Sequence, residues 1–392
     1  MLYVGGKEMK DWALHRFDEV FDLQMGKTPD RKIPDYFGGD NVWVSIRDMV
    51  KKEIFDSNEH ITDEAVTATN IRKVKKGTVI MSFKLTVGKC AIAARDLYTN
   101  EAIMAFNLKE GFDISPDFLY YYLQGYKWEG ANKAVMGLTL NKAIISQHKI
   151  GFPSLSEQLS IVSELNKINE LIGQKKSQMS DLEMLELSIF YDMFGDPVEN
   201  EKGWEVKTFG ELGTIERGAG ISKKDFVDEG LPCIHYGQLH TILGPTTKRH
   251  YASIPKSLLP KYKIAHTGDL IMAITSEDVE GSCKSTAWLG DYDIVIGSDA
   301  AILHHEQNGT FLSYYTMTKA FFNEKAKYAK GFKVTHISTK EIESIPVYLP
   351  PLSLQQEFAN RIEAIDKQKQ NIISTINELE TLLASRMQYW FD

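Results

Sequence analysis

The sequence repeats itself once along its length. The segment Trp12-Ala-Leu-His-Arg-Phe17 returns as Trp204-Glu-Val-Lys-Thr-Phe209, 192 residues later. Phe152-Pro-Ser-Leu-Ser-Glu-Gln158 returns as Leu349-Pro-Pro-Leu-Ser-Leu-Gln355, 197 residues later. A period of about half the chain is too long for a solenoid, so we interpret it as one duplicated module. Two similar modules joined by a fixed element can recognise two targets at a fixed separation.

Each copy ends in a segment that predicts one long amphipathic helix, residues 153–195 and 350–392. Apolar residues recur there in steps of three and four, on one stripe. Pro153 bars helix upstream, and Ser154 with Glu157 has the spacing of a capping box. About 36 residues of helix would form a rod of roughly 55 Å.

The two helical stripes keep one register at the 197-residue offset, apart from an exchange in which Lys369 stands where the first copy has Ile172. A stripe of about four heptads is longer than one core needs, so we predict that the helices pair as an antiparallel coiled coil. The alternative is that each helix packs on its own globular half. The predicted seam residues are Ile161, Leu165, Ile168, Ile172, Leu182, Phe358, Ile362, Ile365, Ile376 and Leu379.

The segments before the helices predict mixed α/β domains. Short strand-like runs, among them Thr78-Val-Ile-Met81 and Cys90-Ala-Ile-Ala93, are separated by Gly and Asp, and each half has one short helix signal. The predicted fold class is therefore α/β (α+β), a tandem pseudo-two-fold repeat of two globular domains and two long helices. We place the first domain at 1–152, its helix at 153–195, the second domain at 196–349 and its helix at 350–392. The patterns leave the strand order open.

Composition is ordinary for a globular protein, with 43% hydrophobic and 25% charged residues. The net charge of −8 disfavours nucleic-acid binding at first, but most of it lies in the two helical segments, and the remainder is nearly neutral. Charge therefore permits DNA binding without arguing for it. Three widely separated cysteines, no long apolar run and no signal-peptide pattern predict a cytoplasmic protein.

Catalytic motifs are not recognisable in the sequence. Gly26-Lys-Thr28 resembles the end of a phosphate-binding loop, but Phe21 stands where the first glycine is needed. Gly218-Ala-Gly220 lacks the third glycine of a dinucleotide fingerprint. His304 and His305 would point to opposite faces of a strand, so we expect a strand-end role and no metal site. We predict a chain that is not an enzyme on its own.

The order of these features resembles the specificity subunits of type I restriction-modification systems. That family carries a Pro-Pro-Leu-x-Glu-Gln stretch at the start of each conserved helix. Pro153-Ser-Leu-Ser-Glu-Gln158 departs from it at the second position and Pro350-Pro-Leu-Ser-Leu-Gln355 at the fifth. Gly26-Lys-Thr-Pro29 and Lys76-Gly-Thr-Val-Ile80 also match motifs of the family. The second half of the chain matches these motifs less well. The resemblance covers essentially the whole chain.

The resemblance implies a non-catalytic subunit with two target recognition domains, each reading half of a bipartite, asymmetric double-stranded DNA site. The helices would set the spacing and bind two methyltransferase subunits. S-adenosylmethionine chemistry at adenine N6 would lie on those subunits, and ATP and Mg would be used by motor-nuclease subunits, if two of these join.

Candidate DNA contacts lie in loops after short strands, where Arg and Lys suit guanine, Asn and Gln suit adenine, and Ser and Thr suit several bases. For the first half we select Ser45, Arg47, Lys84, Thr86 and Lys89 for bases and Lys73, Lys75 and Lys76 for phosphates. For the second half we select His235, Tyr236, Gln238, Ser276, Lys284 and Thr286 for bases and Lys248 and Arg249 for phosphates. The alternative for each is a solvated loop side chain.

Two rival hypotheses stay open from sequence. The chain could be a coiled-coil interaction scaffold whose two domains bind ligands other than DNA, which the acidic helices would also fit. The globular halves could instead carry an unrecognised nuclease. DNA binding and methylation, measured with and without a co-expressed adenine methyltransferase, would discriminate among the three.

Overall fold

The duplication divides the folded chain into two units whose boundary falls inside both long helices. The structure is a computed structural model that describes residues 3–4, 7–8, 12–129, 132–134, 137–221, 223–257, 262–329 and 334–391, with backbone alone for 3–4, 7–8, 132–134, 137 and 138. One unit comprises Met1–Lys175 with Thr375–Asp392, and the other comprises Lys176–Ser374. Each unit therefore contains one globular half, part of the helix that follows it and part of the other long helix.

The first unit is a mixed α/β domain. Its strands are β1 (Tyr3–Val4), β2 (Lys7–Glu8), β3 (Leu14–Arg16), β4 (Phe21–Met25), β5 (Phe37–Val44), β6 (Glu53–Ile54), β7 (His60–Ile61), β8 (Val79–Ser82), β9 (Lys84–Leu85), β10 (Cys90–Ala93), β11 (Tyr98–Thr99), β12 (Ile103–Leu108), β13 (Asn132–Ala134), β14 (Gly137–Thr139) and β15 (Lys149–Gly151). Its helices are α1 (Phe17–Val20), α2 (Asp63–Thr69), α3 (Pro116–Gly125) and α4 (Lys142–Gln147), with 3-10 turns at Pro34–Tyr36 and Ile46–Asp48. The first long helix, α5 (Leu155–Phe194), begins in this unit.

The second unit has a similar series of elements. Its strands are β16 (Glu205–Thr208), β17 (Gly213–Arg217), β18 (Leu231–Ile234), β19 (Thr246–Thr247), β20 (Ala252–Ile254), β21 (Lys263–Ala265), β22 (Leu270–Ala273), β23 (Thr275–Ser276), β24 (Ser285–Trp288), β25 (Ile294–Ile296), β26 (Ala300–His305), β27 (Thr335–His336) and β28 (Pro346–Leu349). Its helices are α6 (Phe209–Leu212), α7 (Tyr236–Thr241), α8 (Gly309–Tyr315), α9 (Lys319–Ala326) and α10 (Thr339–Glu343), with a 3-10 turn at Lys223–Asp225. The second long helix, α11 (Leu352–Phe391), begins here.

Both units are built on the same five-stranded sheet. Its order is β4-β12-β8-β10-β6 in the first unit and β17-β26-β22-β24-β19 in the second. In each sheet the first three pairings are antiparallel and the last is parallel. A second sheet also corresponds, since β5 pairs parallel with β11 and β18 with β25. The duplication therefore extends to the strand order, which the sequence patterns left open.

The central strands are buried on both faces. Val79 and Met81 of β8 belong to one hydrophobic cluster, and Ile80 between them belongs to another. In β22, Leu270 and Met272 face one cluster and Ile271 the other. Successive side chains of a strand point to opposite faces, so a sheet with a core on each side needs continuous apolar strands.

A glycine at the end of the first sheet strand is preserved in both copies for a steric reason. The Cβ of any other residue at Gly26 would lie 2.0 Å from the carbonyl oxygen of Thr99, and at Gly218 it would lie 2.1 Å from that of Gly297. The backbone N–H of Gly26 donates to Ile103 O, and that of Gly218 donates to Ala300 O. The Gly-Lys-Thr turn is therefore a close backbone crossing, which agrees with rejecting it as a phosphate loop.

The long helices pair in antiparallel orientation, as predicted. In the second unit the rings of Phe190 and Phe194, near the end of α5, lie 5.6 and 5.3 Å from the ring of Phe358, near the start of α11. In the first unit the carboxylate of Glu164, near the start of α5, accepts hydrogen bonds from Arg386 and from the indole N–H of Trp390, near the end of α11. The start of each helix therefore lies beside the end of the other.

The predicted seam is divided between two environments. Ile161 and Leu165 belong to a cluster that joins the core of the first globular half with Leu383 and Met387 of α11. Phe358 and Ile362 belong to a cluster that joins the core of the second half with Phe190 and Phe194 of α5. Ile168, Ile172, Leu182 and Ile365 are buried outside these clusters, whereas Ile376 and Leu379 are only half-buried. A single helix stripe thus serves a domain core at one end and the helix pair beyond it.

Candidate nucleic-acid interface

In each unit the loop that joins the two central strands contacts a short helical turn. The loop is 83–89 between β8 and β10 in the first unit, and the longer 274–284 between β22 and β24 in the second. The Lys89 ammonium donates to the carbonyl of Ile46 at 3.1 Å, and the Lys284 ammonium donates to that of His240 at 3.2 Å. We call each loop, together with the turn 45–48 or α7, a hairpin surface.

The first hairpin surface brings together five of the predicted base-reading residues. Arg47 and Thr86 are exposed, and Lys84 and Lys89 are half-buried. The Lys84 ammonium lies 5.6 Å from the centre of the Phe83 ring. Ser45 uses its backbone N–H and its hydroxyl to donate to the Asp48 carboxylate, at 2.8 and 2.7 Å, so its polar groups already cap the turn. Arg47, Lys84 and Thr86 are the side chains best placed to reach a ligand.

In the second hairpin surface, two predicted readers build the start of α7. The backbone N–H of His235 donates to Gln238 Oε1 at 2.9 Å, and His235 Nδ1 accepts from the Gly237 N–H at 3.1 Å. Burial lowers the pKa of His235 from its ordinary value, because the charged form loses hydration. With these atoms engaged in the cap, Tyr236 and Lys284 are better placed to meet a ligand.

Thr286 is not part of either surface, and the prediction that it contacts DNA is wrong. The residue is completely buried in β24, opposite Ile271 on β22, and its hydroxyl has no hydrogen-bond partner in the described residues. Residues directly opposite each other on paired strands share a face, so Thr286 points into the core that contains Ile271. Ser276 remains at the loop, half-buried on β23, where its hydroxyl accepts from the Asp278 N–H at 3.4 Å.

The predicted phosphate contacts lie away from the hairpin surfaces. Lys73, Lys75 and Lys76 precede β8, at the opposite end from its loop. The Lys75 ammonium is 3.1 Å from the Asp96 carboxylate, and the Lys73 ammonium is 5.8 Å from the centre of the Tyr98 ring.

The second phosphate pair, Lys248 and Arg249, follows the edge strand β19. The Lys248 ammonium is 3.1 Å from Glu363 on α11, and Arg249 is exposed. The predicted base contacts and phosphate contacts therefore lie in separate parts of the fold.

The sequence did not reveal the role of the repeated glutamine at the start of each long helix. Gln158 is fully buried; its Nε2 donates to the carbonyls of Asp113 and Pro153 at 2.9 Å each, and its Oε1 accepts from the Ser115 N–H at 2.9 Å. Gln355 repeats this arrangement. Its Nε2 donates to Pro350 O at 2.9 Å and to Gln307 Oε1 at 3.0 Å, and its Oε1 accepts from the Asn308 N–H at 3.0 Å. The amide thus fastens each long helix to the segment that begins α3 or α8.

Replacing Gln355 by alanine is expected to lower the free energy of unfolding by about 2 kcal/mol, because the buried carbonyl of Pro350 and the N–H of Asn308 lose their partners. The neighbouring Gln356 is exposed, so Gln356→Ala is the matched control and should change stability by at most about 0.5 kcal/mol. Urea unfolding of both variants measures the difference. Equal effects would contradict the anchoring role of Gln355.

The histidine pair lies at the end of β26. His304 Nδ1 is 2.8 Å from the Asp269 carboxylate, and burial lowers the pKa of His305 to about 4. In the part of the chain that the structure describes, no group of three His, Cys, Asp or Glu side chains is arranged to hold a metal ion. Both histidines are the last residues of β26, Ala300–His305.

Comparison with known proteins identifies the family. The type I restriction modification DNA specificity domain matches the chain twice, over residues 9–182 and 201–381. The chain belongs to this family. The specificity subunit of the type I restriction enzyme MjaIX of Methanocaldococcus jannaschii is 24% identical over 94% of this chain and 91% of its own length. That of EcoKI from Escherichia coli K12 is 19% identical over 46% of this chain and 40% of its own length.

Solved structures agree on the fold of this specificity-family chain. A chain from work on complex assembly and conformational transition of the type I R-M system has a TM-score of 0.60 at 18% identity, with 97% of both chains covered. The type I restriction-modification S subunit from M. genitalium has a TM-score of 0.51 at 13% identity, with 98% of both covered. Among the described residues, no helix is long and apolar enough to cross a membrane.

Proposed function

We propose that this chain is the non-catalytic DNA-recognition subunit of a cytoplasmic type I restriction-modification complex. Each globular half would read one half of a bipartite, asymmetric double-stranded DNA site, and the paired helices would set the distance between the halves. The observation that carries the proposal is the duplicated hairpin surface, present once in each of two family domains. The family match favours this function over the interaction scaffold.

Divergence between the hairpin surfaces supports an asymmetric target. Arg47 lies in the turn whose counterpart in the second unit is the histidine-capped helix α7. Lys84 and Thr86 lie in the loop whose counterpart is the longer loop 274–284. Different side chains at equivalent places present different donors and acceptors to base edges, so the two halves should prefer different sequences. Two similar readers on one spacer would then specify two half-sites and the gap between them.

The long helices offer equivalent positions for two copies of a partner. Leu155 and Leu352 occupy the same position in the two helices and are 46% and 53% exposed. Leu185 and Leu382, also equivalent, are 45% and 46% exposed. Exposed apolar residues repeated by pseudo-symmetry suit two identical partner subunits. We propose methyltransferase subunits, carrying S-adenosylmethionine, as these partners. Motor-nuclease subunits that use ATP and Mg are the further members proposed for the complex.

Methylation with and without the partner tests the proposal. The chain, an adenine methyltransferase subunit and the two together are each expressed in a host that lacks this modification. Adenine methylation at one bipartite sequence is expected only when both subunits are present. DNA cleavage by the isolated chain, or the same methylation pattern without it, would refute the proposal.

A further inference from the structure

A buried lysine outside the second hairpin surface contacts its loop, and the described side chains of the first unit include no counterpart. Lys325 lies on α9, and only 4% of its surface is exposed. Its ammonium donates to the carbonyl of Glu280 at 2.9 Å and to that of Ser282, both in loop 274–284. The rings of Phe321 and Phe322 lie 5.9 and 5.5 Å from the same ammonium. A cation inside the protein therefore holds the loop through two backbone carbonyls.

The electrostatics of this contact are unusual for a structural lysine. No carboxylate lies within ion-pair distance of Lys325 in the described part of the chain, although Glu280 and Asp278 are near enough to favour its charge. Burial lowers the pKa of Lys325 from its ordinary value, since the charged form loses hydration. Lysine is rarely buried without an ionic partner, so the position of Lys325 is the informative feature.

The loop that Lys325 holds is locally ordered around it. Ser282 and Cys283 are buried, and Cys283 has a positive φ of 55°. The Ser282 hydroxyl donates to Val279 O at 2.7 Å, and the Cys283 N–H donates to Ala273 O at 2.8 Å. Lys284, which follows directly, extends to the carbonyl of His240 on α7. The ammonium of Lys325 thus fixes the segment from which Lys284 and the α7 contact are presented.

Among the side chains that the structure describes in the first unit, no lysine is buried against the corresponding loop. Its shorter loop closes on itself, with the Ser82 hydroxyl donating to Thr86 O and the Gly88 N–H donating to Ser82 O at 3.0 Å. Between α3 and β14 it carries the strand β13, whereas the second unit carries α9 in the corresponding place between α8 and β27. The longer loop and the helix that supplies Lys325 therefore occur together, in one unit.

We infer that Lys325 is a positioning residue for DNA recognition by the second unit, holding loop 274–284 in the conformation that reads one half-site. The inference rests on the proposed function. It adds that the recognition loops of the two units are held in place by different contacts. Loss of the ammonium should relax one half-site and leave the other unchanged.

The test uses the full chain with its methyltransferase subunits and a library of random double-stranded DNA. Sequences retained by the wild type define both half-sites, and the variants are compared on duplexes substituted in one half-site at a time. Lys325→Met should reduce discrimination at one half-site by about tenfold, within the range of one good base contact, and by less than about twofold at the other. Lys325→Arg, which keeps a charged donor, should recover part of the loss.

Two controls separate positioning from general destabilisation. Lys327→Met removes an exposed lysine near the end of α9 that pairs with Glu324, and it should leave both half-sites unchanged. If Lys325→Met does not fold, Lys325→Gln retains a neutral donor and should show a smaller loss at the same half-site. Equal loss at both half-sites, or no loss in a folded variant, would overturn the inference. A wild type that selects no sequence would overturn the proposed function itself.

Discussion

Replacing Lys369 by leucine is expected to lower the melting temperature of the second unit by about 10 °C. Lys369 on α11 is ion-paired with Glu186 on α5, with nitrogen–oxygen distances of 3.1 and 3.2 Å. The side chains are 17% and 4% exposed, so the pair is largely removed from water. Removing one partner leaves a buried carboxylate uncompensated, which typically costs about 3–5 kcal/mol.

The repeat supplies the matched control for this variant. Ile172 occupies the position of Lys369 in the first helix, and Leu383 occupies the position of Glu186 in the second. The double variant Glu186→Leu with Lys369→Ile transfers this apolar pair into the second unit. Apolar replacements of a buried ion pair are often neutral or stabilising, so the double variant should melt at or above the wild-type temperature. A double variant as unstable as the single one would contradict this explanation.

The stability loss in Lys369→Leu should depend on pH. Burial raises the pKa of Glu186 in the folded protein, and the charge of Lys369 opposes that shift. Without Lys369 the folded-state pKa rises further. A carboxyl with a raised folded-state pKa is favourable below its unfolded pKa, and this contribution is lost as pH rises through the folded value. Asp366, whose pKa burial also raises, and Tyr314, which bonds Glu186, are the other groups near this site. The deficit should therefore be larger at pH 8 than at pH 5, as measured by thermal unfolding at both values.

Periodicity was sufficient to predict the long helices because their stripes extend over many turns. The predicted segments 153–195 and 350–392 enclose helices at Leu155–Phe194 and Leu352–Phe391. The strand at Cys90–Ala93 was also predicted, from a short apolar run between Gly and Asp residues. These signals depend on residues that are close in sequence, so they predict local structure without knowledge of the tertiary contacts.

The recognition residues were harder to predict, because their roles depend on contacts between distant segments. The run around Thr286 gave no indication that this hydroxyl would face Ile271 inside a core. His235 has the chemistry of a base reader, yet its Nδ1 caps α7. The repeated glutamines marked the family without revealing that their amides fasten the helices. Each outcome is decided by tertiary neighbours that a linear pattern does not contain.

Lengthening both long helices is expected to change the spacer between the half-sites and leave the half-sites intact. Seven residues inserted after Lys175 and seven after Ser374 lie at the boundary of the two units and at opposed points of the antiparallel pair. A heptad keeps the apolar stripe on one face and adds about 10 Å to each helix. At about 3.4 Å per base pair, the preferred spacer should grow by two or three base pairs.

Insertion of a heptad in α5 alone is the control for this prediction. It shifts one helix against the other, so contacts such as Glu164 with Arg386 lose their register while the recognition loops keep their sequence. This variant should be unstable or inactive in methylation. The paired insertion should remain folded, because both helices lengthen together.

The most direct test maps methylated adenines across the genome of a host that expresses the methyltransferase with the wild-type chain or with the paired-insertion variant. The account predicts one bipartite asymmetric motif for the wild type. It predicts the same two half-sites for the variant, separated by a spacer longer by two or three base pairs, at about 3.4 Å each. Altered half-sites with an unchanged spacer, or one continuous motif in the wild type, would contradict it.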